Sequence, residues 1–185
     1  MARIVYADHA SPEVSGLVDR IIAERGELLH LYQMLLHSPP VARGWLDLMT
    51  AVRQKTTLPG RLREFVIIRI AHLNGAVYEA EQHRPIALRE GAREDQIAAL
   101  ADWKKSPGLY DRHERTALEL TDQMTCKIKV GPECWGEVRD TWTEREIVEL
   151  VTLVASYNMV SRVLVALEID AADYRQDDAA HSCKN

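Results

Sequence analysis

The chain of 185 residues has little of what usually decides a function at once. It carries three cysteines, Cys126, Cys134 and Cys183, at unrelated spacings and with no Cys-x-x-Cys or Cys/His cluster among them. That excludes a disulfide framework and the common metal-ligand patterns, and the thiols are expected to be reduced. No stretch of lysine and arginine is long enough to track a phosphate backbone, and the net charge is −5, so a nucleic-acid partner is not expected. The opening residues, MARIVYADHASPEV, hold no apolar run of the secretory type, so no signal peptide is expected. The longest apolar run, near the C-terminus, is broken by Ser156, Asn158 and Arg162, and reads as a core helix rather than a membrane span. No alternating strand pattern, low-complexity segment or linker occurs. The expectation is a cytoplasmic, soluble protein.

What is present is helical periodicity nearly throughout, with 46% hydrophobic residues to fill one core. Ser11-Pro12 supplies a cap-and-proline start for a first helix that ends at Gly26. A second helix is predicted over 27–37. Ser38-Pro39 opens a third, with Val41, Trp45, Met49 and Val52 on one face. After the break TTLPG, a fourth runs from about Arg61 to Leu73 and stops at Asn74-Gly75, where glycine accepts the left-handed cap. A fifth continues to Gly91 with Pro85 inside it, which should bend it near Glu81. Further helices are predicted over 94–103, 111–124 and 132–141. Thr143 and Glu146 form a capping box that opens the last, to about Ile169. The expected architecture is one all-α domain over residues 1–174, followed by a polar tail at 175–185.

Two ionisable residues sit where a core is expected. At 100° per residue, Glu79 lies about 40° from His83 on the fifth helix, on a stripe shared with Ala76, Ala80 and Ala87. In an antiparallel hairpin about Asn74-Gly75, a rise of ~1.5 Å per residue puts Glu64 ~15 Å and His83 ~12 Å below the turn, nearly level. Glu79 is then ~6 Å below it. A Glu64–His83–Glu79 cluster is therefore geometrically possible. Two plainer readings stand beside it: Glu64 as a first-turn glutamate at a helix N-terminus, and Glu79 with His83 as an i,i+4 pair at a solvated rim. Arg69, about 140° from Glu64, reads as a structural or interface residue. His72, at about 80° from Glu64, joins Tyr157, Asn158 and Arg162 as a candidate for binding a substrate. The last three are polar groups within an apolar helix and need partners.

The segment LPGRLREFVIIRIAHLNGAVYEAEQHRPIALREGAREDQIAAL, Leu58 to Leu100, resembles the carboxymuconolactone decarboxylase family, which includes the alkylhydroperoxidase D (AhpD-like) proteins. With the flanks LLHSPPVARGW and VASYNMVSRVLVAL, the resemblance covers about Leu28 to Ile169. It implies a compact all-helical fold and a homo-oligomer. In the peroxidase branch a glutamate precedes Cys-x-x-Cys-x-x-x-His. Those positions are occupied here by Glu64, then Ala76, Glu79 and His83, so both thiols are replaced. In the decarboxylase branch the helix reads Glu-x-x-x-His, which Glu79 and His83 match. The resemblance thus implies a lyase that decarboxylates, enolises or eliminates on a small lactone or ring-cleavage acid, of the kind met in aromatic catabolism. Glu64, Glu79 and His83 would be the catalytic residues. No metal or organic cofactor is expected, because the substrate itself accepts the electrons. The alternatives are a peroxidase using another thiol, and a non-catalytic oligomer that binds a small molecule.

Overall fold

The computed structural model describes residues 2–169, so the polar tail at 175–185 and Cys183 lie outside the described residues. The described residues contain helices and no strand. The described residues divide into two compact units, one of residues 2–54 with 164–169, the other of Lys55–Val163.

In the first unit, α1 (Ser15–Arg25), α2 (His30–Leu35) and α3 (Pro39–Gln54) bury Leu17, Ile21, Met34, Trp45, Leu46 and Met49. Gly26 ends α1 at φ 88°, and its N–H donates to Ile22 O (2.8 Å). The helix starts later than Ser11-Pro12 predicts. Asp8 Oδ1 accepts from Ala10 N and its carbonyl from Ser11 N, and the Ser11 carbonyl accepts from Val14 N (3.1 Å), so Ser11-Pro12 lies in turns ahead of the helix instead of capping it. Helix α2 is shorter than 27–37, because Leu29 is extended at ψ 145°. Trp45, Met49 and Val52 are buried on α3 as expected, whereas Val41 is 51% exposed.

The second unit is built on α4 (Gly60–Asn74), buried nearly all round from Phe65 to Ala71. Helix α5 (Val77–Arg89) folds back against it, with Pro85 inside but not ending it. Next come α6 (Glu94–Ala99), two short 3₁₀ segments (Leu100–Lys105 and Pro107–Leu109), α7 (Arg112–Lys127), α8 (Pro132–Thr141) and α9 (Glu144–Leu167), the last belonging to this unit as far as Val163. Phe65, Ile68, Ala87, Leu100, Trp103 and Leu118 share one buried cluster. Arg69 is structural, as its position suggested. Its guanidinium donates to both carboxylate oxygens of Asp122 (2.6 and 3.1 Å) and to the carbonyls of Leu100 and Ala101, and Asp122 also accepts from Trp103 Nε1 (3.1 Å). The capping box forms: Thr143 N donates to Glu146 Oε2 (2.9 Å) and Glu146 N to Thr143 Oγ1 (3.3 Å). Helix α9 is long and apolar enough to cross a membrane by length and composition, yet half of its most apolar window is buried within the protein.

Candidate active site

The turn between α4 and α5 sets the register of the two helices. Gly75 takes φ 68°, and the amides of Ala76 and Gly75 donate back to Ala71 O (2.9 Å) and His72 O (3.4 Å). This pair of bonds is the Schellman arrangement, which satisfies orphan carbonyls and reverses the chain within two residues. The hairpin that follows brings Glu64 and His83 level. His83 Nδ1 donates to Glu64 Oε2 at 2.6 Å. Glu64 is wholly buried and His83 is 7% exposed. The second oxygen of Glu64, Oε1, is 3.4 Å from Arg63 Nε. Glu64 is the fifth residue of α4, past the first turn where a glutamate would serve the helix dipole.

Glu79 is 2% exposed, which rules out the solvated-rim reading. Its Oε2 accepts a short hydrogen bond from Ser161 Oγ on α9, and Ser161 is itself fully buried. Its Oε1 is buried and has no hydrogen-bond partner among the described residues. Burial pushes the Glu79 carboxyl up to about 8, with the Ser161 hydroxyl opposing the shift. An ionised carboxylate loses its water shell in such a place, so the neutral acid is the form that survives at pH 7.

The last helix covers both residues. Tyr157 sets its ring edge-on to the His83 imidazole, with centroids 5.3 Å apart. Ser161 stands one turn further along. Two i,i+4 pairs thus meet: Tyr157 on His83, and Ser161 on Glu79.

The remaining candidates lie elsewhere in the hydrogen-bond network. Asn158 accepts from Asn74 Nδ2 (3.1 Å) and donates to Thr125 Oγ1 (2.9 Å). The exposed Arg162 donates to Asn158 O and Oδ1 (2.8 and 2.7 Å). These bonds tie α9 to the end of α4 and to α7, and none reaches Glu64, Glu79 or His83. His72 is exposed and lines a cleft of about 360 Å³ shared by Ile68, Val77, Ala80, Arg84 and Ile97. The cleft opens on the flank of α5 that carries Ala80 and Arg84, and its lining does not include the acid–base residues. Ser161 is the site residue that sequence reasoning missed. Its signal was a hydroxyl four residues after Tyr157 in an otherwise apolar stretch.

Among the described residues no group of three or more His, Cys, Asp or Glu side chains is arranged to hold a metal. Cys126 is exposed and Cys134 buried, both as free thiols, and burial pushes the Cys134 thiol up, away from thiolate chemistry.

A family model described as the carboxymuconolactone decarboxylase family matches residues 39–123, the stretch that runs from α3 into α7 and holds all but the last-helix side of the site. Over residues 39–123 the chain is thus similar to the carboxymuconolactone decarboxylase family. Within that stretch the chain carries Ala76 and Glu79 where the resemblance places the peroxidase thiols. An uncharacterized protein of Bacillus subtilis (strain 168), YdfG, is 27% identical over 126 residues, which span 67% of this chain and 85% of that protein. The structure is similar to that of a debrominase, Bmp8, solved as a cysteine-to-alanine variant in complex with 2,3,4-tribromopyrrole. The TM-score is 0.77 at 19% identity, over 97% of this chain and 98% of that one. It is equally similar to an uncharacterized peroxidase-related protein with an alkylhydroperoxidase AhpD core from Ralstonia eutropha JMP134, with TM-score 0.77 at 14% identity over 91% and 90% of the two chains. At these identities the likeness establishes the AhpD-like fold.

Proposed function

We propose that this protein, similar to the carboxymuconolactone decarboxylase family, is a cofactor-free lyase acting by acid–base catalysis on a small unsaturated lactone or ring-cleavage acid. The observation that carries the reading is the Glu64–His83 hydrogen bond of 2.6 Å, formed inside the protein. With Nδ1 committed to Glu64, the imidazole is held in one tautomer and orientation, and proton transfer to substrate falls to Nε2. Loss of CO₂ breaks a carbon–carbon bond, and the electron pair moves into the conjugated lactone carbonyl as a dienolate. The carbon must then receive a proton, which His83 can supply near neutral pH. His83 is the most open of the three residues, so a substrate meets the imidazole first. Glu79, neutral at pH 7, suits the role of hydrogen-bond donor to the developing enolate oxygen, a known use of a carboxyl kept protonated by its surroundings.

The test is a panel of unsaturated lactones and β-keto acids, followed by CO₂ release and ultraviolet change. Turnover that disappears in His83→Ala supports the reading. Turnover indifferent to His83, or thiol-dependent peroxide consumption in its place, overturns it. The pH profile adds a check on Glu79. Its pKa lies above that of an ordinary glutamate, so the donor is present below about pH 8 and lost above it. Activity should fall as pH rises through about 8, and Glu79→Gln, which keeps a neutral donor, should remove that fall.

A further inference from the structure

We infer that Ser161 is a positioning residue whose hydroxyl, donated to Glu79 Oε2, fixes the carboxylic proton of Glu79 on Oε1. This rests on the reading of Glu79 as the proton-bearing carboxyl of the site. The argument begins with the inequivalence of the two oxygens. A neutral carboxyl has one carbonyl oxygen, which accepts, and one hydroxyl oxygen, which donates. Oε2 receives the serine hydrogen and so takes the carbonyl role. The proton is left to Oε1, the oxygen without a partner among the described residues. A buried donor with nothing to donate to is costly, and a substrate oxygen would relieve that cost on binding.

Helix geometry makes the assignment specific. Ser161 and Tyr157 are i,i+4 on α9, and Glu79 and His83 are i,i+4 on α5, so each residue of one pair meets one residue of the other. Tyr157 orients the imidazole and Ser161 the carboxyl. The ionisable groups on the elements packed around Glu79 are His83 on its own helix, Glu64 on α4, and Tyr157 and the exposed Arg162 on α9. None of them contributes to the shift of the Glu79 carboxyl, which comes from burial and from Ser161. Among the described residues the serine is therefore the polar group that sets which oxygen carries the proton.

Infrared difference spectroscopy on protein labelled with ¹³C-carboxyl glutamate tests this without any substrate, with Glu79→Gln identifying the band. In the wild type the carbonyl band of the protonated acid is expected at the frequency of a hydrogen-bonded C=O and to disappear as the pH rises through about 8. Ser161→Ala should move the band to the higher frequency of an unbonded carbonyl and raise the midpoint by about one pH unit, a tenfold change in proton affinity. Ser161→Thr, which keeps the hydroxyl, should restore both. An unchanged band and midpoint in Ser161→Ala, or a threonine variant that behaves like alanine, overturns the inference. If the alanine variant fails to fold, Ser161→Cys replaces it: the weaker thiol donor should give an intermediate frequency, and a frequency equal to wild type overturns the inference. A normal serine effect in a protein that decarboxylates nothing on the panel removes the lyase reading and leaves the positioning role standing. An unchanged band in a protein that does decarboxylate removes the positioning role alone.

Discussion

A glutamate that keeps its proton near neutrality ties stability to pH in a direction opposite to that of most acids. Glu79 rises from 4.5 to about 8 on folding. Between those values the folded state binds more protons than the unfolded chain, so unfolding free energy falls as pH rises, by up to about 1.4 kcal/mol per unit. The stabilisation is fully present below the unfolded value and gone above about 8. Urea titrations at pH 5, 6.5 and 8 should show this decline in the wild type and a flatter profile in Glu79→Gln. His83→Ala should lower kcat/KM by ~10²-fold or more once a substrate is found, the ordinary worth of a positioned general acid. Replacing Cys126, Cys134 and Cys183 with serine should leave that activity largely intact, and coupled assays should find negligible peroxide reduction in either form.

At the scale of elements, the α4–α5 hairpin was legible because its signals are local. Asn74-Gly75 marked the reversal, and counting residues on either side placed Glu64 level with His83. Which faces of the two helices meet depends on packing that the whole unit decides, so the count could propose the 2.6 Å bond but not establish it. Ser161 escaped for the same reason. A helix apolar on most sides does not reveal which side its neighbour covers. The start of α1 differs from the Ser11-Pro12 signal because the Val14 amide, one that a Ser11 hydroxyl cap would use, donates to the Ser11 backbone carbonyl instead and closes a turn ahead of the helix. Gly75 offers a clean test of the hairpin. An added Cβ would meet nothing within 4 Å, so Gly75→Ala carries only the penalty of φ 68°. That is about 1–2 kcal/mol, and calorimetry should show a fall in Tm of roughly 2–4 °C for each kcal/mol in a chain of this size. Thr143→Ala, which removes one half of the α9 capping box, should cost about 1 kcal/mol on the same scale.

For the whole molecule, we propose self-association. Helix α9 leaves Val148 66% exposed and Val165 48% exposed, and Val77 at the start of α5 is 67% exposed. Apolar side chains in water favour an interface that removes them from it. Light scattering at micromolar concentration is expected to report a mass well above the 21.0 kDa of one chain, and a stable monomer would count against the proposal. The division into two units has another use. Of the four tryptophans, Trp45 belongs to the first unit, while Trp103, Trp135 and Trp142 belong to the second. Protein grown with 5-fluorotryptophan would therefore give four fluorine resonances, one reporting on the first unit and three on the second. A single thermal series would read both units side by side, and a resonance from Trp45 that broadens or moves before the others would show the first unit loosening on its own.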